Sequence, residues 1–424
     1  MKIRRKLILI VVLVAFSSLV MTCTTGTSAK DPSAGRTPGL LESLLAGTDG
    51  TIQNEEVLLS MPFNQAAMSF QLNLLKAAAE GERNAFLSPL SAGIALTMAA
   101  NGAGGTTLEE FENVLGMNLQ EMNIFYSAVQ QRLNRGDGQK VLNSANSMFI
   151  DKERITVSEN YIRDTGRYFS AGLYNLNFSS RSAVRSINDW ANFHSNGMIT
   201  RVIDKIDSAQ IMFLANAVSF EGKWMDKFDK KENYTGSFAA PSGNVRTVFM
   251  KKYLKCSYYF NNDCAIAMLP YEDGEYFFTA IMPESDFNAW FEAFTAKDYF
   301  ELIEKAVRGD FTIGLPKFEA KFSYDLKEPL RKMGLNAAFA DSFADFKKLG
   351  TSNAVIFLFD VPHKTYIKVN EEGTSAAAVT VPSFGARSAV RSSIIFDKPF
   401  LYTIFENKTG LPVFTGIMKN PAAK

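Results

Sequence analysis

Residues 60–424 run without a repeat, an internal linker or a low-complexity block. No break in composition divides them, so they read as one large domain around one core. The first third of that text has helical spacing. AAMSFQLNLLKAAAE places apolar residues three and four apart, and AFLSPLSAGIALTMAANGAGGTT reads as a buried helix that starts at Ser-Pro and stops at glycines. LEEFENVLG, MNIFYSAVQQRLN and RSAVRSINDWANFHSNGMITRVID read as further helices, the last ending near Asn196-Gly197. SANSMFID is the first strand-like piece. IMFLANAVSFEGKW is apolar, β-branched and aromatic enough to be a strand buried on both faces. Beyond Phe228 short strands dominate, with LKEPLRKMGL a short helix and IFLFDVPHKTYIKVNEEG a long strand. Helices followed by strands in one core give the α+β fold class.

Charge and residue types then exclude several functions. The 45 Lys and Arg are balanced by 44 Asp and Glu, for a net charge of +1. No basic stripe of the kind nucleic acid requires is left, so no nucleic-acid partner is expected. There are only two histidines, His194 and His363, which limits His-dependent catalysis and metal chemistry. No G-x-S-x-G, H-x-x-x-H or C-x-x-C occurs. His363 reads as a structural, hydrogen-bonding histidine. GAGGTT at 102–107 lacks the lysine and the preceding strand of a phosphate loop and reads as a helix stop. The chain is expected to be no enzyme and to carry no cofactor and no metal.

The N-terminus stands apart from the fold. Residues 1–22 read as a signal peptide, with Lys2, Arg4, Arg5 and Lys6 before the apolar run Leu7 to Met21. Val20-Met21-Thr22-Cys23 resembles a bacterial lipobox, with Thr22 in place of the usual Gly, Ala or Ser. Cys23 is the residue a lipid would modify, and plain secretion is the alternative. Residues 23–59 have the Thr, Ser, Gly, Ala and Asp content of a flexible tether. The expected location is outside the cytoplasm, as a cell-envelope lipoprotein or a secreted protein. Cys256 and Cys264 flank YYFNND, a hairpin whose Asn-Asn turn sits off-centre between them. Opposed cysteines would need that turn one to two residues earlier, so free thiols are favoured over a disulfide.

Seven ordered segments carry a resemblance. They are NAFLSPLSAGIAL (84–96), NGAGGTT (101–107), INDWANFHSNGMIT (187–200), LANAVSFEGKW (214–224), LPKFEAKFSYDLKEPLRKMGL (315–335), HKTYIKVNEEGTSAAA (363–378) and DKPFLYTIFENKTGLPVFTGIMKNP (397–421). In order and spacing they resemble the serpin family over residues 60–424. The resemblance implies three β-sheets, eight or nine helices and an exposed reactive-centre loop at about 371–396. It also implies an irreversible suicide-substrate inhibitor. A serine protease attacks the loop and forms an acyl-enzyme, and the cut arm inserts into the large sheet with the protease still attached. A non-inhibitory serpin acting as a cell-surface binding protein is the alternative reading, as is an inhibitor of an Arg-specific cysteine protease.

That mechanism sets demands on NEEGTSAAAVTVPSFGARSAVRSS at 370–393. An inserted strand alternates its side chains, and the family phase turns Thr374, Ala376, Ala378, Thr380 and Pro382 inward. Most of these are small enough to enter a packed sheet. The hinge Glu371, Glu372, Gly373, Thr374, Ser375, Ala376, Ala377 and Ala378 fits the inhibitory pattern, with Gly373 giving backbone freedom. Pro382 departs from it, since proline forfeits a ladder hydrogen bond. Counting from Glu371 at the spacing usual in the family, the resemblance implies a reactive bond at Arg387-Ser388, with Arg391-Ser392 the alternative. A four-residue shift leaves roughly 13 Å of slack in the inserted strand, which favours Arg387. Arginine there suits an acidic, trypsin-type pocket. The resemblance also makes Ser88, Ser91, Asn216, His363 and Trp224 controls on sheet opening. LQEMNIFYSAVQQRLN carries only Arg132, so heparin is not an expected partner. A monomer is expected, touching a membrane only through the N-terminal lipid.

Overall fold

The computed structural model describes residues 61–134, 142–374 and 393–423. Helix α1 (Met61–Ala78) opens it, followed by the short strand β1 (Ala85–Leu87) and by α2 (Pro89–Asn101). Helix α2 has Pro89 in its first turn, where the missing N–H costs nothing, and is buried along nearly its whole length. Helices α3 (Gly105–Leu115) and α4 (Leu119–Asn134) precede β2 (Leu142–Asp151), β3 (Ile155–Val157), α5 (Glu159–Phe169), β4 (Gly172–Leu176) and α6 (Arg181–His194). Helix α6 stops where Asn196 and Gly197 adopt positive φ, at the place the sequence marked.

Strands then take over: β5 (Met212–Phe220), β6 (Gly222–Lys223), β7 (Tyr234–Ala240), β8 (Gly243–Phe260), β9 (Cys264–Pro270) and β10 (Tyr276–Pro283). Two helices follow, α7 (Phe287–Ala293) and α8 (Ala296–Lys305), before β11 (Val307–Pro316), β12 (Phe318–Asp325) and α9 (Lys327–Lys332). The chain ends through β13 (Gly350–Ser352), β14 (Pro362–Val369), β15 (Gly373–Thr374), β16 (Ser393–Ile395), β17 (Phe400–Glu406) and β18 (Pro412–Met418).

Three sequence expectations are corrected. The first strand is β1, ahead of SANSMFID. Helices α7 and α8 interrupt the region read as strands, and α8 is fixed by a reciprocal capping box between Thr295 and Asp298. The long strand over IFLFDVPHKTYIKVNEEG is regular only from Pro362. Its upstream half is apolar because Ile356 and Leu358 are buried, and the Leu358 N–H bonds the Ala338 carbonyl instead of a ladder partner. Cys256 and Cys264 are free and buried, as favoured. Strand β8 pairs Tyr259 with Ile266 and Phe260 with Ala265 of β9, so the two thiols are not cross-strand neighbours.

Strands β1-β18-β17-β10-β9-β8-β11-β16 form one continuous sheet, with β7 also on β8. The long β8 fuses what would otherwise be two sheets. A second architecture lies in the orders β12-β14-β15-β6 and β4-β2-β5. Strand β5 runs into β6 after one residue, so these groups are two halves of one large sheet. The pair β13-β3 is a small addition. One large apolar cluster fills the interior, while Trp190 and Ile187 of α6 form a separate cluster with Phe149 of β2 and Phe213 of β5.

Candidate functional site

Strand β15 is antiparallel to β14 and to β6, so β14 and β5 run parallel, with a seam between them. Among the described residues no ladder joins β14 to β5 directly. Gly373 and Thr374 of β15, among the described residues, bridge the top of the seam, Thr374 facing Val369 on one side and Gly222 on the other.

Local chemistry sets this entry point. After β14 the Asn370 side chain accepts hydrogen bonds from the Glu372 and Gly373 N–H groups at 3.0 and 3.3 Å, turning the chain back on itself. A Cβ on Gly373 would lie 2.1 Å from the Gly222 carbonyl oxygen and 2.7 Å from the Lys223 Cα. Only glycine permits that approach, a stronger constraint than the flexibility expected from sequence. Thr374 is 2% exposed, and its hydroxyl lies 2.6 Å from the Tyr271 hydroxyl. The ring of Tyr271 stacks on Trp224 at 4.9 Å and 9°. Burial pushes the Tyr271 phenol up, so it stays neutral.

Trp224 binds the turn itself. Its indole N–H donates to the Asn370 carbonyl at 2.8 Å, and its backbone N–H donates to the Glu372 carbonyl at 2.9 Å. Glu371 is buried, accepting from Lys317 at 2.8 Å and also from Asn233. Burial opposes its ionisation, but the Lys317 hydrogen bond, its own backbone N–H and Asn233 hold the carboxyl below its ordinary value. Glu372 pairs with Lys227 at 3.3 Å.

Lower in the seam, His363 of β14 accepts the Ser88 N–H at Nε2, 3.0 Å away, while the Ser88 hydroxyl donates to the Val413 carbonyl at 2.8 Å. Ser91 is buried one turn further along α2. The backbone of Asn216 pairs with Asn146 on β2; its side chain lies outside what the structure describes. His363 keeps part of its surface exposed, yet packing around the ring disfavours the imidazolium, and burial pushes its pKa down to about 4. The unfolded chain therefore takes up the proton first. Stability from neutral His363 is full above about pH 6.5 and is lost as pH falls toward about 4. Denaturant melts at pH 7.5 and 5 should show wild type losing more stability than His363→Gln; equal losses would remove His363 from the account.

The structure thus joins Glu371–Thr374 to Trp224, and Ser88 to His363. Ser375, Ala376, Ala377, Ala378, Pro382, Arg387, Ser388, Arg391, Ser392 and Cys23 lie outside the described residues. Sequence reading missed Tyr271, Lys317, Asn233 and Lys227, which lie roughly 50 to 150 positions from their partners and carry no motif. Arg132, the lone base of its helix, is bound to Glu406 at 2.8 Å.

The large sheet is thus divided, with the start of an interstrand segment lodged at the top of its seam. A sequence profile described as Serpin (serine protease inhibitor) matches residues 65–421, and the chain belongs to the serpin family, generally one of protease inhibitors. An uncharacterized serpin-like protein of Thermococcus kodakarensis is 29% identical over 372 residues, covering 85% of this chain and 86% of its own. The thermophilic serpin tengpin in its native state superposes with a TM-score of 0.79 at 29% identity, covering 85% of this chain and 95% of tengpin. Tengpin in its latent state gives 0.73 at 28%, covering 85% and 98%.

Proposed function

We propose that this serpin is a suicide-substrate inhibitor of Arg-specific, trypsin-like serine proteases, cut at Arg387-Ser388. The observation that carries the reading is the seam: Thr374 is small, buried and already aligned between β14 and β6, where an inserting arm must start. The family phase that turns Thr374 inward agrees with its contact to Tyr271. The greater overlap with native than with latent tengpin favours a resting sheet that has not taken up the loop. Residues 1–22 would direct export, with Cys23 as lipid anchor.

Incubation with trypsin and denaturing electrophoresis test this directly. A complex that survives denaturant, with a released peptide starting at Ser388, is the expected result. Clean cleavage without complex would sink the inhibitory reading for such proteases, and a peptide starting at Ser392 would move the bond to Arg391.

A further inference from the structure

The seam is fastened at its other end as well. Gln210 lies two residues before the start of β5 and Asp360 two residues before that of β14, so both sit at the base of the two parallel strands. The Gln210 side-chain amide donates to Asp360 Oδ1 at 3.0 Å. Its own carbonyl oxygen accepts the Asp207 N–H at 2.8 Å, and Arg154 donates to the Gln210 and Ser208 backbone carbonyls. Gln210 is buried and is therefore held in one orientation. Across the seam, the Val361 N–H donates to Asp325 at 3.0 Å, and the Lys327 ammonium donates to the Phe359 carbonyl at 3.1 Å. Each partner is thus anchored to its own half of the sheet, and the Gln210–Asp360 bond ties the halves together.

We infer that Gln210 and Asp360 form a basal clasp that must break before loop insertion is complete, which makes them positioning residues for the conformational change. The inference rests on the insertion reading above. An arm from Thr374 to Arg387 would extend about 46 Å as a strand, against about 26 Å for the eight residues of β14. It therefore runs past the base. A strand between two others moves them apart by about 4.8 Å, and a 3.0 Å bond cannot span that.

Titration gives the clasp a sign. Burial and the nearby Asp325 push Asp360 up to about 6, with Asp207 adding to this and Gln210 and Lys327 opposing it. A carboxyl that holds its proton more tightly in the closed seam than in water favours closure as pH falls. Acid should fasten the base, and the charged form at neutral pH should loosen it. His363, pushed down to about 4, acts over an overlapping pH range with the opposite sign, so the Asp360 step is isolated by comparing wild type with Asp360→Asn.

The test follows conversion of the intact, full-length chain to a heat-stable form without protease, just below its melting temperature. Gln210→Ala should convert about tenfold faster, because a charged acceptor loses its donor. Asp360→Asn keeps the acceptor oxygen without the charge. It should convert more slowly than wild type at pH 8 and lack the wild-type slowing as pH falls through about 6. Substitutions that merely disturbed packing would both accelerate conversion. Equal rates in all three chains, or acceleration by Asp360→Asn, would overturn the clasp. A wild-type melt before and after nicking the loop separates the two claims. If nicking stabilises but the variants match wild type, only the clasp falls. If nicking does not stabilise, the insertion reading falls and the clasp with it.

Discussion

Thr374→Arg is expected to abolish the denaturant-resistant complex with trypsin while the chain is still cut at the loop. Thr374 occupies the first position inside the seam, is 2% exposed, and exchanges a 2.6 Å hydrogen bond with Tyr271. The acids of the adjoining turn are engaged, Glu371 with Lys317 and Glu372 with Lys227, so neither is a ready counterion for a guanidinium there. Burying an unpaired charge costs several kcal/mol. The arginine would therefore leave the seam at rest and would have to be buried for the arm to insert. A barrier raised by about 3 kcal/mol slows insertion on the order of a hundredfold, and hydrolysis of the acyl-enzyme then overtakes trapping. Thr374→Ser keeps the hydroxyl and should keep complex yield near wild type. Normal complex formation by Thr374→Arg would show that this position need not stay buried in the seam for inhibition.

The readable parts of this fold were those with local causes. Ser88-Pro89 announces α2 and Asn196-Gly197 ends α6. Glu371-Glu372-Gly373-Thr374 was legible through the family resemblance, and the turn it forms uses two paired carboxylates, one close backbone approach and one small side chain within four residues. Helices α7 and α8 were hidden because FNAWFEAF and AKDYFELIEK are short and rich in aromatic residues, which suit strands equally well. IFLFD looked like strand because burial against irregular chain calls for the same apolar residues as burial in a sheet. The clamp around Thr374 was unreadable for a different reason. Tyr271, Lys317 and Asn233 act through tertiary contact alone, and nothing in their neighbours sets them apart from other Tyr, Lys and Asn residues. Gly373 was singled out for flexibility. Its requirement is the Gly222 carbonyl pressed against the place of its missing Cβ, a fact of packing between distant segments.

Trp224→Ala should lower native stability by about 3–5 kcal/mol, the usual cost of removing a buried indole. Trp224 is 1% exposed, stacks on Tyr271, and meets Phe278 edge-on at 5.7 Å. Its loss would also leave the Asn370 carbonyl without the indole N–H that now reaches it. Trp224→Phe separates these contributions. It retains most of the stacking surface and removes the donor, so a deficit on the order of 1 kcal/mol plus a smaller packing loss is expected. Unfolding in denaturant should be followed by circular dichroism, since Trp224 is one of only three tryptophans and its removal changes the fluorescence itself. Under the proposed mechanism the native state has a second exit besides unfolding. The Trp224 indole holds the Asn370 carbonyl, while the backbone bond from residue 224 to Glu372 survives the substitution. Loss of the indole loosens the turn from which the proposed insertion would start, and Trp224→Ala should also convert faster to the heat-stable form at a fixed temperature. A Trp224→Ala chain within about 1 kcal/mol of wild type would mean that the Tyr271 stack does not hold the top of the seam.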